Sequence, residues 1–270
     1  MNKKNIFYAA LPLLFFLGLA VLARVFLPNP NNQNLLETLQ APFGTHWLGT
    51  DELGRDVFGL LLHGLGISLL VGLLCSLISA AIGVPLGLLA GLRGGWLEII
   101  IMRAIEVQMA LPTVLLALVT LALLGAGLEN LIVIIGVFGW AGFARYTRAT
   151  VLVQRQLEYV LAAQALGAND WRTILRHVLP NVASGILLQI SLDFPQNILL
   201  EASLSFLGVG VGVDTPSLGA MVSRGYGYLL SGAWWLSLLP GGFIMLLVLS
   251  TNRLTEAIRV GLDPRAKPER

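Results

Sequence analysis

The chain has 270 residues, of which 56% are hydrophobic and only 12% are charged, and its formal net charge is +2. Its mean hydropathy is +0.80, and the run from Val57 to Leu92 without a charged residue far exceeds the roughly 20 residues that cross a bilayer. Soluble globular proteins are therefore excluded. The composition predicts an all-α polytopic membrane protein, because lipid leaves the backbone of an open strand unsatisfied.

Six apolar segments are predicted to cross the membrane as helices. In chain order they run from about Ile6 to Leu27, Ser68 to Leu89, Ile101 to Leu124, Leu131 to Thr150, Ala183 to Leu204 and Leu236 to Leu254. The first segment follows Lys3 and Lys4, as in a signal peptide, but its apolar stretch is longer than the roughly 7 to 15 residues of a signal-peptide core. It is interpreted as an uncleaved anchor.

Positive charge indicates how these segments are oriented. Six spans place both termini on one side, and 14 of the 17 Lys and Arg residues fall on that side. Only Arg24, Arg55 and Arg224 fall on the other. Because short cytoplasmic loops hold an excess of Lys and Arg, both termini are predicted to be cytoplasmic. The arginines are sufficiently explained as interfacial anchors, and no nucleic-acid partner is expected.

The segment before the second span carries a short polar motif. Thr50 or Asp51 is predicted to cap a short helix. Asp51 and Arg55 have the four-residue spacing of a helical ion pair, which stabilises isolated helices by about 0.2 to 0.5 kcal/mol. The favoured interpretation is a structural clasp that fixes the start of the second span.

Residues Glu158 to Asn181 form the one long polar interruption in the apolar second half of the chain. Strong helix formers from Arg155 to Leu166 predict a first short helix. Gly167 suits the left-handed residue that commonly ends a helix, and Asn169 or Asp170 is expected to cap a second one. The sequence therefore predicts a water-facing helical hairpin.

The second helix of this hairpin is predicted to present an apolar ridge. Four residues at spacings of three and four form it: Trp171, Ile174, Leu175 and Val178. Pro180 lacks a backbone donor and is expected to help stop the helix near the membrane. An exposed ridge suits docking into a groove on another protein. Packing on the chain's own spans is an equally weighted alternative from spacing alone.

Asp193 and Glu201 lie in the fifth apolar segment, eight residues apart and so broadly on one face of a helix. Acidic groups at membrane depth are costly and normally face a cavity or a partner. Both are candidates for the lining of a translocation path, and the alternative is a hydrogen-bonded structural role, which is favoured for Glu201. The stretch from Asp214 to Trp235 is predicted to form an outer loop that dips toward the bilayer, with Trp234 and Trp235 at the membrane interface.

Several kinds of site are not expected. His46, His63 and His177 lie on separate segments without the spacing of a metal site. Cys75 falls in the middle of the second span and is interpreted as a small core residue. The sequence contains no G-x-x-x-x-G-K-[ST] phosphate cradle and no catalytic set on one loop. No metal, no cofactor and no enzymatic activity of this chain are therefore expected, and any ATP must be hydrolysed by another chain.

The hairpin resembles the cytoplasmic EAA loop of permease subunits of ATP-binding-cassette (ABC) importers. Five residues match that motif: Ala162, Ala163, Gly167, Leu179 and Pro180. Leu161 replaces the glutamate that names the motif, and Glu158 lies one turn earlier. The sequence RHVLPN at residues 176–181 resembles the dipeptide, oligopeptide and nickel branch of the family in particular.

Three further segments resemble that branch. They are HWLGTDELGRD from His46 to Asp56, which includes Gly49, Thr50, Asp51, Gly54, Arg55 and Asp56, then EASLSFLGVG from Glu201 to Gly210, and GLDPR from Gly261 to Arg265. The chain departs from the branch at a few positions, namely Gly59, Leu60, Leu65, Leu218, Thr255 and Glu256. Contacts on the outer face and the identity of the substrate are thus the features most open to difference.

The resemblance implies the all-α fold of a type I ABC importer permease of the C type. A single transmembrane domain over residues 1–270 is implied. Residues 1–67 form its anchor helix and outer-face segment, residues 68–258 its core spans with the coupling loop 155–181, and residues 259–270 a cytoplasmic tail. Coupling to an ATPase is implied for nine residues: Glu158, Ala162, Ala163, Gly167, Trp171, Ile174, Leu175, Leu179 and Pro180.

The resemblance also implies partners in a bacterial inner membrane: a second homologous permease that completes a heterodimer, two ABC ATPase subunits and an extracytoplasmic substrate-binding protein. Contact between the Asp51 segment and that binding protein is the less favoured alternative to the clasp. Short peptides are the favoured cargo, with nickel or another chelated metal as the alternative. A self-contained secondary transporter and an intramembrane enzyme are different classes. No clear internal repeat supports the first, and Asp193 with Glu201 is too small a set for the second.

Overall fold

The computed structural model describes residues 3–27, 30–44, 46–212 and 214–262. These residues are almost entirely helical, and the extended pairing among them is one isolated bridge between Thr50 and Asp56. The helices are α1 Lys3–Phe26, α2 Val57–Arg93, α3 Gly95–Met109, α4 Thr113–Leu124, α5 Leu128–Phe138, α6 Trp140–Gln154, α7 Glu158–Ala165, α8 Asp170–Thr173, α9 Leu179–Phe206, α10 Leu218–Tyr226 and α11 Trp235–Leu262. The all-helical prediction is confirmed.

Four helical segments among the described residues are long and apolar enough to cross a membrane: Ile6–Phe26, Val57–Arg93, Leu128–Gln154 and Trp235–Leu262. A fifth would be the pair α3 and α4, which is bent by 84°. The segment predicted to span the membrane from Ile101 to Leu124 is therefore not one continuous helix. The break falls at Pro112, because a proline disfavours helical conformation in the residue before it.

The remaining predicted span is α9, whose 28 residues are long enough to cross a bilayer. It is more polar than the other spans because it carries Gln189, Asp193, Gln196, Asn197 and Glu201. The predicted second span is also extended, since α2 has 37 residues and is about 55 Å long. Its two ends therefore reach beyond the hydrocarbon on either side.

A row of glycines lets α2 pack closely on α6. Gly83, Gly87 and Gly91 repeat every four residues on the buried face of α2. A Cβ atom on Gly83 would lie 2.4 Å from the Trp140 oxygen, and one on Gly87 would lie 2.6 Å from the Ala144 oxygen. Small residues at this spacing allow two membrane helices to approach until their backbones touch. The position of α6, and of the hairpin that follows it, is thereby fixed against α2.

The predicted outer loop from Asp214 to Trp235 is wrong in part, because residues Leu218–Tyr226 form helix α10. Trp235 lies in an apolar cluster with Leu61 and Leu218, and its indole Nε1 donates a hydrogen bond of 3.2 Å to the Thr50 oxygen. It is a core residue rather than an interfacial one. Its neighbour Trp234 is 45% exposed, as an interfacial aromatic residue requires.

Candidate coupling surface and polar groups in the membrane

The hairpin, residues 155–181, contains the two predicted short helices, but the first is shorter than the sequence predicts. Helix α6 continues to Gln154, and α7 starts only at Glu158, so the predicted start at Arg155 is wrong. Gly167 has a φ of 85°, the left-handed conformation that glycine adopts without strain. The Asn169 side chain accepts a hydrogen bond of 2.8 Å from the Arg172 backbone nitrogen, which makes Asn169 the N-cap of α8.

The second half of the hairpin does not stop at Pro180. A π-helical turn, Ile174–Val178, follows α8 and leads directly into α9. Pro180 is the second residue of α9, where its missing backbone donor would have no intrahelical partner in any case. The predicted helix stop is therefore wrong. The hairpin and the fifth predicted span are joined by continuous helical backbone.

The predicted apolar ridge on the second helix is divided. Trp171 is 63% exposed, whereas Val178 is fully buried against Leu88, Val151 and Val182. A π-helical turn changes the residue period, so spacings of three and four no longer keep these residues on one face. The side chains of Ile174 and Leu175 lie outside the described part of the chain.

The exposed apolar surface of the hairpin instead comes from both of its helices and the turn between them. Leu166 is 89% exposed, Leu161 50% and Tyr159 41%, and Trp171 joins them. Leu161 and Leu166 were not predicted as contact residues. The signal that identifies them is a large apolar side chain in an otherwise polar segment, next to the left-handed Gly167 in the case of Leu166. We refer to Tyr159, Leu161, Leu166 and Trp171 as the hairpin surface.

The five residues that match the EAA loop lie in the same hairpin, and Glu158 lies one turn before the motif's glutamate position, which Leu161 occupies. Glu158, Ala162, Gly167 and Pro180 are exposed, and Ala163 and Leu179 are half-buried. Val160 in the same helix is fully buried, so α7 has one face on the protein and one face free. Small alanine side chains on the free face permit close approach of another surface.

Two polar contacts at the base of the hairpin were not predicted. The Arg155 guanidinium donates to the Gly91 oxygen at 3.1 Å, close to the end of α2. On α6, the Arg148 guanidinium donates to the Glu98 carboxylate on α3 at 2.6 Å. These contacts join residues separated by 64 and 50 positions, so local spacing gives no sign of them. The first contact attaches the hairpin to α2, and the second joins α6, the helix before the hairpin, to α3.

At the opposite end of α2, residues 30–56 form what we call the α1–α2 segment. Asp51 and Arg55 form the ion pair that their spacing predicts, with Nη2 and Oδ2 2.6 Å apart, and both side chains are nearly buried. They do so in a turn rather than in the short helix predicted from Thr50 or Asp51. The other Asp51 oxygen accepts hydrogen bonds of 2.9 Å from the backbone nitrogens of Leu53 and Arg55.

The rest of the signature in this segment closes the turn. Gly49 and Gly54 have φ values of 79° and 70°, and a Cβ atom on Gly54 would lie 1.8 Å from the Asn34 oxygen. The Thr50 hydroxyl donates to the Glu37 oxygen. Asp56 accepts a hydrogen bond of 2.9 Å from the Gly59 nitrogen and so caps α2. The geometry is that of a clasp which fixes where α2 begins.

Glu201 lies at the centre of a buried hydrogen-bond cluster. Its side chain is fully buried, and its carboxylate accepts hydrogen bonds from three hydroxyl groups, those of Ser68 at 2.9 Å, Ser205 at 2.8 Å and Ser217 at 2.7 Å. Ser68 lies in α2, Ser205 lies in α9, and Ser217 is the residue just before α10. The cluster joins three parts of the fold, a contact that sequence spacing does not predict.

Asp193 has a different environment on the same helix. It is half-buried, and its carboxylate accepts a hydrogen bond of 2.7 Å from the Asn197 amide. The same amide donates to the Ser76 hydroxyl at 3.0 Å, and that hydroxyl donates to the Gly72 oxygen at 2.9 Å. Asp193 and Glu201 therefore do not form one site.

Comparison with known proteins places the chain in a transport family. The profile described as "Binding-protein-dependent transport system inner membrane component" matches residues 83–266. The chain is 40% identical over 270 residues to the "Dipeptide transport system permease protein DppC" of Bacillus subtilis (strain 168), a match that covers 99% of this chain and 84% of that protein.

Two other relatives carry related descriptions. The "Glutathione transport system permease protein GsiD" of Pectobacterium atrosepticum is 39% identical over 84% of this chain and 75% of its own length. The "Oligopeptide transport system permease protein OppC" of Bacillus subtilis is 35% identical over 94% of this chain and 85% of its own. A solved structure of the MetNI methionine ABC transporter, in an inward-facing conformation, has the same fold, with a TM-score of 0.57 at 20% identity over 74% of this chain and 96% of that one.

Proposed function

Because the chain belongs to the family of binding-protein-dependent transport system inner membrane components, we propose that it is the permease subunit of an ATP-driven importer of short peptides. In this function it forms half of the translocation path and receives mechanical work from cytoplasmic ATPase subunits. The observation that supports short peptides as the cargo is the 40% identity to a dipeptide permease along 99% of the chain. The glutathione and oligopeptide permeases are also relatives, and the cargoes in their names are peptides as well.

The hairpin surface is the proposed docking site of an ATPase subunit. Tyr159, Leu161, Leu166 and Trp171 present apolar area to the solvent, and an amphipathic helical element of this kind fits a groove on a partner. They form the proposed contact together with Glu158 and the residues that match the EAA loop, which are Ala162, Ala163, Gly167, Leu179 and Pro180. Ile174 and Leu175 belong to the same proposal on sequence grounds.

Force transfer follows from how the hairpin is attached. When ATP closes the two ATPases, the grooves that hold the hairpins move, and continuous helical backbone passes the displacement from α8 through the π-helical turn to α9. Arg155 and the glycine contacts of α2 join the hairpin to the other spans. Shifting an equilibrium between inward-open and outward-open packings from 1:99 to 99:1 takes about 5.5 kcal/mol, so a firm attachment is required.

The proposal also assigns positions to the termini, the partner proteins and the polar groups of the chain. The excess of Lys and Arg supports a cytoplasmic position of both termini and of the hairpin, and in this proposal a second homologous permease completes a heterodimer in the inner membrane. The α1–α2 segment then faces the extracytoplasmic binding protein, with the Asp51–Arg55 clasp shaping that end of the chain. Glu201 has a structural role in its serine cluster, and Asp193 lines the path.

The test is reconstitution of the complete transporter. The chain is combined in liposomes with its partner permease, two ATPases and binding protein, with ATP inside and a radiolabelled dipeptide outside. The proposal predicts uptake against a gradient that requires ATP, the ATPases and the binding protein together. Uphill uptake by the chain alone would contradict it, as would uptake of nickel chelates in place of peptides.

A further inference from the structure

Helix α9 has a polar edge whose side chains are only partly hydrogen-bonded within the chain. Gln189, Asp193 and Gln196 follow one another at spacings of four and three, so they lie along one side of the helix about one turn apart. Gln189 and Asp193 are half-buried and Gln196 is exposed. Exposed Leu192 and Leu199 lie beside this edge, so it borders the face of α9 that the rest of the fold leaves uncovered.

Asp193 lies near the middle of the helix. It is the fifteenth of the 28 residues of α9, about 21 Å along the axis from the first residue. An acidic group at such a depth is rare and normally faces a cavity or pairs with another group. None of the Lys, Arg and His residues in the described ranges forms an ion pair with it.

Asp193 differs from Glu201 in how its carboxylate is surrounded. Three hydroxyl groups surround the Glu201 carboxylate, and water has no access to it. The Asp193 carboxylate is held by two side chains, the Asn197 amide and the Ser76 hydroxyl on α2, and the same amide also donates to Ser76. Asn197 thus orients the Asp193 carboxylate while leaving it accessible at the uncovered face.

The side-chain amides of the two neighbouring glutamines can form further hydrogen bonds. Within the part of the chain that the structure describes, the side chains of Gln189 and Gln196 have no hydrogen-bond partner. Each amide oxygen is an acceptor, and an ammonium group offers three donors. A carboxylate flanked by amide oxygens along one helix edge matches that donor set, with the charge-assisted bond to the carboxylate as the strongest contact.

We infer that Asp193, with Gln189 and Gln196 beside it, binds a primary ammonium group of the cargo as the cargo passes along α9. This inference rests on the proposed function, since it requires a cargo that carries such a group. Peptides supply one at their amino terminus, and lysyl peptides supply a second on a side chain. Asp193 is thus a specificity-determining residue in the path rather than part of the coupling machinery.

The experiment uses the complete transporter in liposomes with two cargoes, Ala-Lys and Ala-Leu, delivered by saturated binding protein. Three variants are compared with the wild type: Asp193→Asn, Asp193→Glu and the control Glu129→Gln, an exposed carboxylate in the first turn of α5. Uptake and ATPase activity stimulated by loaded binding protein are measured together. The second readout detects a variant that is merely misfolded or uncoupled.

Asp193→Asn should keep stimulated ATPase activity and lose about tenfold in uptake, because a hydrogen bond to a charged group is replaced by a neutral one. Loss for both cargoes identifies the amino terminus as the ligand, and loss for Ala-Lys alone identifies the lysyl side chain. Asp193→Glu should recover uptake, and Glu129→Gln should match the wild type.

Uptake of both cargoes by Asp193→Asn at the wild-type rate would overturn this inference and leave the proposed function intact. Joint loss of uptake and stimulated ATPase activity, with no recovery in Asp193→Glu, would also overturn it, because that pattern indicates a structural role. Absence of ATP-dependent peptide uptake in the wild type would overturn the proposed function and this inference with it.

Discussion

The two ends of α2 differ in how their polar and apolar groups are used. At its beginning, the α1–α2 segment turns charged groups inward, and Asp51 and Arg55 are nearly buried in contact with each other. Near its end, the hairpin turns apolar groups outward, and Leu166 is 89% exposed. The charged pair of the first region has its partners within the chain, although Leu36 of that segment is exposed, whereas Leu166 and Trp171 of the hairpin surface are left largely exposed. A region of the second kind is where another protein is expected to bind.

The largest effect is expected where the first region loses a partner. Arg55→Ala leaves the Asp51 carboxylate nearly buried without its cation, and breaking such a pair costs about 3 to 5 kcal/mol of unfolding free energy. Reversible unfolding in mixed micelles measures this loss. The control is Arg103→Ala, which removes a pair whose side chains are 76% and 51% exposed and should cost less than about 1 kcal/mol. Equal losses in the two variants would show that the clasp is not a buried structural element.

The next effect concerns transport rather than stability. Gly167→Pro imposes a φ near −65° where the hairpin has 85°, so the relative direction of α7 and α8 changes. Uptake and stimulated ATPase activity should fall to background while membrane insertion is unchanged. Gly232→Pro is the matched control, since Gly232 has a φ of 90° and open space around it as Gly167 does. Normal uptake in Gly167→Pro would remove the hairpin from the mechanism.

A smaller effect is expected on ATPase binding when one exposed leucine is shortened in each of the two regions. Leu166→Ala trims the most exposed side chain of the hairpin surface, and it should weaken ATPase binding by about tenfold, as expected for a central apolar contact. Leu36→Ala removes a leucine that is 94% exposed in the α1–α2 segment and should leave that affinity unchanged. Titration of detergent-solubilised permease complex with labelled ATPase measures both. An equal change in both variants would contradict docking at the hairpin surface.

The sequence was sufficient where the decisive contact is local. The left-handed Gly167, the Asn169 cap and the Asp51–Arg55 pair each depend on residues within about four positions, so composition and spacing identify them. Long apolar runs likewise predict most of the spans, because about 20 such residues have few other stable environments.

Prediction failed where the contact is distant or the helix geometry is irregular. The serine cluster of Glu201 joins residues as far apart as Ser68 and Ser217, and no local pattern indicates it. The 84° bend at Pro112 and the π-helical turn before α9 change the direction or period of a helix without interrupting its apolar character. An assumed period of 3.6 residues therefore placed Trp171 and Val178 on one ridge, although packing separates them.

The most direct test of the account is site-specific cross-linking to an ATPase subunit. Cys75 is the single cysteine of the chain and is buried, so Leu166→Cys introduces one accessible thiol on the hairpin and Leu36→Cys introduces one on the α1–α2 segment. With a short bifunctional reagent on the assembled transporter, the account predicts that Leu166→Cys is joined to an ATPase subunit and that Leu36→Cys is not. Cross-linking of the ATPase from Leu36→Cys, or none from Leu166→Cys in an assembled and active transporter, would contradict it.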